Sequence, residues 1–254
     1  MVCFSHKQHM PDEFQTIQTW WGEGGEYHIG ESPSPYVQKY GIDFISQYIT
    51  GDCILADFGV WSGRNLEPLL TLKKEIAATD ITTARPAMAK ARERFPQVKY
   101  FEAPLTSLPF GNNTIGGGIC WRVLHNLIGT AEVINSLKEI NRVLVPNAPL
   151  LISVRAEDDA GDTGFWKKIY SYIKQKPNGA GGFRSDIYFT EKSLNLLATL
   201  MGFSIIYKTK IWEKESISGH EISNCYLVAH LLKKKKTMDR AWISMVQQML
   251  IRLE

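Results

Sequence analysis

With 254 residues, 44% hydrophobic and 22% charged side chains, the chain has the balance of a folded globular protein rather than a disordered one. A formal net charge of +3 is too small to argue for nucleic acid by itself, and no apolar run nears the roughly 20 residues of a bilayer-spanning helix. Cys3, Cys53, Cys120 and Cys225 lie apart, without C-x-x-C or histidine at ligand spacing. No metal is therefore expected, and without a signal-peptide core at the N-terminus the expected location is the cytoplasm, with reduced thiols.

Residues 1–50 read as an N-terminal cap segment and helix. The stretch 1–32 is irregular, with Trp20 and Trp21 ahead of a glycine-rich run and with Tyr27 and His28 read as packing residues. Over 35–49, Tyr36, Tyr40, Phe44 and Tyr48 recur at helical spacing. The main domain is placed at 51–236. Its β-like runs fall at 53–59, 75–81, 98–103, 114–121 and 148–156, with helical runs between them at 63–73, 83–94 and 130–144. That alternation predicts a doubly wound α/β fold with a mostly parallel sheet, its strand carboxyl ends sharing one edge.

Residues 157–188, rich in Gly, Asp and aromatics, interrupt the rhythm and predict a lid or substrate-binding insertion over that edge. A helix follows at 190–201, capped by Thr190 and ended by Gly202. Runs 203–212 and 225–232 are too close for a crossover and predict an antiparallel pair at the sheet edge, making seven strands, with a polar link at 213–224. Lys233, Lys234, Lys235 and Lys236 read as a solvated strand end, or alternatively as a phosphate contact. In 237–254, Trp242, Val246, Met249 and Leu253 share one helical face, which suits a docked terminal helix, a membrane-surface helix or a dimer helix.

The chemistry concentrates in ILADFGVWSGRNLEPLL at 54–70. A β-run reaches Asp57, Gly59 and Gly63 flank a tight turn, and a helix begins whose first N–H groups are free for an anion. The next strand ends at Asp80, 23 residues after Asp57, where a carboxylate accepts hydrogen bonds from a ribose diol. Turn and acid at that spacing point to an adenosine ligand.

DFGVWSGRNLEPL resembles the S-adenosylmethionine motif D-x-G-x-G-x-G-R of class I methyltransferases. TDITTARPAMAKARERFPQVKYFEA, LTSLPFGNNTIGGGICWRVLHNL and SLKEINRVLVPNAPLLISV resemble the family's following segments in the family's order, over roughly 50–156. YFTEKSLNLLATLMGFSII continues the likeness more loosely, and the whole is most similar to the quinone-biosynthesis, methyltransferase type 11 group. A nicotinamide site would show G-x-G-x-x-G and would leave the L-P-F and R-V-L-x-P elements unexplained.

The resemblance implies S-adenosylmethionine as cofactor, held by Asp57, Gly59, Trp61, Gly63, Asp80, Ile81, Leu105, Trp121 and Arg122. It also implies an enzyme. Trp61 replaces the family's middle glycine and is expected to crowd the cofactor or to force a repacked turn. Pro104 replaces a frequent adenine-contacting acid. Ile115 and Gly116 replace Phe-Asp, and Asn147 and Ala148 replace a glycine pair.

His125 is the one candidate general base, with a structural role after the fourth strand as its alternative. The expected reaction moves a methyl group to an O, N, C or S atom of a small, partly apolar molecule, with Phe165, Trp166, Tyr170 and Tyr172 lining its entry. The alternatives are a methyltransferase-like domain without activity that serves as a binding or scaffold partner, and an RNA methyltransferase using Lys167, Lys168 and the later lysine run. The oligomeric state is left open.

Overall fold

The computed structural model describes residues 32–127, 129–160, 172–177, 183–217 and 220–235. The readings on Trp20, Trp21, Tyr27, His28, Phe165, Trp166, Lys167, Lys168, Tyr170, Lys236 and the 237–254 helix lie outside them.

Five short parallel strands form the centre: β1 Ile54–Phe58, β2 Glu75–Asp80, β3 Lys99–Glu102, β4 Ile115–Trp121 and β5 Pro149–Arg155. β4 and β5 are buried along their whole length, because helices cover both faces. After the hairpin β6 Tyr172–Pro177 and β7 Phe183–Tyr188 come β8 Phe203–Ile217 and β9 His220–Lys233. β9 runs antiparallel to both β5 and β8, so the seven-stranded sheet has the order β3-β2-β1-β4-β5-β9-β8. The chain winds one way from β1 and the other way from β4. The crevice outside the carboxyl ends of those two strands is therefore the topological switch point.

On one face Ala56, Phe58, Cys120, Ile152 and Leu227 pack with Val133, Leu137 and Ile140 of helix Gly129–Val143, and with Leu194 and Leu197 of helix Glu191–Leu200. On the other, Leu55, Ile76, Ile119, Leu151 and Val228 meet Phe44 and Ile45 of helix Ile42–Tyr48, Leu66 and Leu69 of helix Leu66–Leu70, and Met88 and Ala91 of helix Arg85–Arg94. A π-helical turn, Val37–Gly41, leads into the first of these helices. Gly116, where the family has Asp, fits because a Cβ there would lie 2.5 Å from the Cβ of Cys53. Thr190 caps its helix reciprocally with Ser193, at 2.9 and 3.0 Å, and Gly202 ends it at φ +82°. No described helix is long and apolar enough to cross a membrane.

Three expectations are corrected. The helix expected at 63–73 is limited to Leu66–Leu70, since Gly63 to Asn65 are used in the turn and Lys73 turns left-handed at φ +53°. The polar link at 213–224 is mostly ladder: β8 and β9 pair from Phe203↔Lys233 to Ile217↔His220. That pairing carries them past Arg155↔Tyr226, where β5 ends, so the hairpin overhangs the carboxyl edge. Lys233 is not a solvated strand end. It is buried, and its ammonium donates to Asn113 Oδ1 at 2.7 Å and to the Leu144 carbonyl at 2.5 Å. Burial depresses its pKa.

Candidate active site

Asp57 and Asp80 end up on the same sheet face at the carboxyl edge, because Asp57 stands opposite Ala78, two residues before Asp80. The turn leaving β1 is built from backbone bonds. Gly59 and Val60 N–H donate to the Thr79 carbonyl at 2.8 and 3.0 Å, and Gly63 N–H donates to Val60 at 2.8 Å. Gly59 sits at φ +90°, and a Cβ there would come within 2.3 Å of Val123 Cγ2, so only glycine serves. At Gly63, with φ +77°, a Cβ would come within 2.9 Å of Leu66 Cδ1 and 3.0 Å of Ala91 Cβ.

Trp61 keeps the left-handed conformation expected of a glycine, with φ +47°. Its N–H donates to Asp80 Oδ2 at 2.7 Å, while Ile81 N–H donates to Oδ1 at 2.8 Å. The turn is thus not repacked around the indole; it is fastened to the second strand. The helix start offers less than the sequence suggested, because Leu66 N–H is already given to the Gly63 carbonyl at 3.1 Å.

The two acids differ in support. Burial pushes Asp80 up to about 6, against the pull of its two N–H donors. Asp57 is 3% exposed and is pushed up to about 8 by burial and then by the Asp80 charge, with no opposite charge among the described residues to offset them.

Leu105 is buried in the core with Phe58 and Leu108. Trp121 ends β4 on the face of Asp57 and stacks on Tyr36, with ring centroids 5.9 Å apart and planes 17° apart. Its buried indole Nε1 has no hydrogen-bond partner among the described residues. Arg122, left-handed at φ +61°, donates its backbone N–H to Ser153 Oγ at 2.9 Å, lays its guanidinium 4.4 Å from the Tyr226 ring centre and pairs with Glu213. His125 is buried in the turn Leu124–Asn126, its ring 5.8 Å from that of Tyr226.

Sequence reasoning missed the clamp that joins these parts. Ser34, buried between Pro33 and Pro35, donates its hydroxyl to Glu213 and its N–H to Asn65 Oδ1 at 3.0 Å. The N-terminal segment is thereby tied both to the turn after β1 and to the overhanging hairpin. Ser34 and Glu213 are 179 positions apart, and no local pattern marks the pair.

A match to a family model follows this architecture: the methyltransferase-domain model covers residues 56–152, from β1 into β5. Residues 56–152 form a methyltransferase domain. Its fold is that of S-adenosylmethionine-dependent methyltransferases. Among solved structures, a SAM-dependent methyltransferase from Methanosarcina mazei superposes with a TM-score of 0.63 at 18% identity, covering 81% of this chain and 100% of its own. The 1,6-didemethyltoxoflavin N1-methyltransferase of Burkholderia thailandensis, solved with 1,6-didemethyltoxoflavin and S-adenosylhomocysteine, superposes at 0.57 and 18% identity over 89% and 91% of the two chains. A glycopeptide N-methyltransferase in complex with SAM superposes at 0.54 and 13% identity, over 75% and 91%. No curated protein matches the chain by sequence.

The residues of the methyltransferase domain suit such a cofactor chemically. It presents acceptors in Asp80, a buried carboxyl in Asp57 without a counter-charge among the described residues, and a buried Trp121 donor that none of the described residues meets.

Proposed function

We propose that this methyltransferase domain acts on a small, partly apolar molecule. We further propose that Asp57, Gly59, Trp61, Gly63, Asp80, Ile81, Leu105, Trp121 and Arg122 form its cofactor side. Asp80 would hold the ribose diol with the lone pairs left over from the Trp61 and Ile81 N–H groups. Leu105 and Ile81 would flank the adenine. The turn from Gly59 to Gly63 would enclose the methionine end. When bound, S-adenosylmethionine supplies a methyl group already activated on a sulfonium.

The chain's own task is then alignment and exclusion of water, which together account for roughly 7–11 kcal/mol of such a barrier. The acceptor would enter between the overhanging β8–β9 hairpin and the segment 157–188, acting as a lid over the carboxyl edge. His125, buried against Tyr226, fits a structural role better than that of a base. The similarity to the 1,6-didemethyltoxoflavin N1-methyltransferase supports the small-molecule reading. The location inferred is cytoplasmic.

The observation that carries this reading is the tether between the Trp61 N–H and Asp80, which holds the first turn and the second strand's acid as one receptor. Calorimetric titration with S-adenosylmethionine and S-adenosylhomocysteine tests it. Binding is expected, and Asp80→Ala should weaken it at least tenfold, the size of a charge-assisted hydrogen bond. Wild-type affinity in that variant would remove Asp80 from the site. Labelled-methyl incorporation into a metabolite extract would then identify the acceptor. Label recovered in RNA instead, with steeply salt-dependent binding, would favour the nucleic-acid alternative, and cofactor binding without any transfer would favour the scaffold reading.

A further inference from the structure

Resting on that cofactor reading, we propose that Asp57 is the residue by which the protein tells the cationic cofactor from its neutral thioether product. Asp57 is the last residue but one of β1, nearly fully buried beneath the glycine turn. Its neighbour across the sheet face is a second acid, Asp80. Asp80 is compensated by two N–H donors, at 2.7 and 2.8 Å; among the described residues Asp57 has no such donor and no counter-charge. A carboxylate out of water, beside a like charge and without a counter-charge, is unfavourable.

A ligand's positive charge reverses both penalties at once. Trp121 provides an independent sign that a ligand completes this crevice. Asp57 stands opposite Ile119 in β4, two residues before Trp121, whose buried indole donor on that same face is also unmet.

The two forms of the cofactor differ by one methyl group and one charge. Their adenosine, α-amino and carboxylate groups are common to both. Discrimination between them therefore isolates what the sulfonium charge meets. Binding of the cation draws Asp57 into its ionised form, with the proton passing to solvent, and loss of the charge on methyl transfer removes that stabilisation and favours product release.

The ionisable groups coupled to Asp57 from the packed elements are Asp80 on β2, Tyr100 on β3 and Cys120 on β4. Burial pushes Tyr100 up to about 12 and Cys120 higher, so both stay neutral near pH 7. Arg92 and Arg94 act on Tyr100 and do not offset Asp57.

The test measures affinity for S-adenosylmethionine and S-adenosylhomocysteine side by side from about pH 5.5 to about pH 8.5, in the unmodified protein and in Asp57→Asn. The preference for the cation should climb at least tenfold with pH in the unmodified protein, because binding the cation is linked to ionisation of Asp57. In Asp57→Asn the preference should be flat with pH and several-fold lower at the alkaline end. A flat preference in the unmodified protein overturns the proposal whether or not the variant folds, and so does an unchanged pH profile in the variant. If both ligands bind but are not distinguished, only this proposal falls. If neither binds the unmodified protein, the cofactor assignment falls and takes this proposal with it.

Discussion

The unsupported carboxyl in β1 makes a sharp forecast about stability. Asp57 is held at about 8 against an ordinary 3.8. The folded state therefore keeps a proton that the unfolded chain gives up. Its contribution is fully present below about pH 4 and is lost as pH rises towards the folded value, the reverse of a salt-bridged aspartate. Each pH step between the two values is worth about 1.4 kcal/mol, so the loss is on the order of 2 kcal/mol at pH 5 and on the order of 5 kcal/mol at pH 7.5.

Asp57→Asn keeps the shape and removes the ionisation. The ligand-free variant should resist urea better than the parent at pH 7.5 by several kcal/mol, a large part of a typical domain's stability, and the gain should shrink steeply by pH 5. Asp80, pushed up to about 6, adds a smaller slope of the same sign that both proteins share. Urea denaturation curves at the two pH values measure the difference. A variant no more stable than the parent at pH 7.5, or a gap that widens as pH falls, would refute the reasoning, because either would mean that Asp57 is ionised and satisfied in the fold.

Trp61→Gly should be more stable than Trp61→Ala by about 1 kcal/mol in thermal melts, since both remove the indole and only glycine takes φ +47° without strain. Glu213→Ala should cost about 1–3 kcal/mol, as it removes the acceptor shared by the half-buried Arg122 and the buried Ser34, and hydrogen exchange should rise across residues 33–37 once Ser34 loses its acceptor. Thr190→Ala should lower stability by about 1 kcal/mol through loss of the reciprocal cap, without altering cofactor affinity in a calorimetric titration.

The parallel strands were legible because burial on both faces makes them near-continuous apolar runs, such as Ile54–Ala56 and Pro149–Ile152, punctuated by helical segments. Asp57 and Asp80 were legible through spacing, since one βα unit sets the distance between successive strand ends. The outer half of the β8–β9 hairpin was not. Residues 213–217 and 220–224 are mostly charged and polar, and their strand state rests on backbone pairing that side-chain pattern does not report. Lys233 was misread for a related reason. A run of four lysines looks solvated, yet the first of them meets the carbonyl of Leu144 and the amide of Asn113, which only the fold brings beside it. The Ser34–Glu213–Arg122 clamp joins three distant segments and has no signature in any one of them.

Trp61 shows where a family pattern over-specifies. A glycine is obligatory in this turn only where a Cβ would collide, and that condition holds at Gly59, against Val123, and at Gly63, against Leu66 and Ala91. At the middle position the demand is conformational, and a left-handed step costs a non-glycine residue about 1–2 kcal/mol. A hydrogen bond to an ionised carboxylate contributes about 1.5–3 kcal/mol. Asp80 accepts such a bond from the Trp61 N–H at 2.7 Å, and at about 6 its carboxyl is mostly ionised near neutral pH. The acid at the end of the second strand can therefore supply what the missing glycine would have, and the turn keeps its shape with an indole at its apex. By the same logic, Asp80→Asn should expose the strain at Trp61, and Trp61→Gly should recover more stability in that background than in the parent.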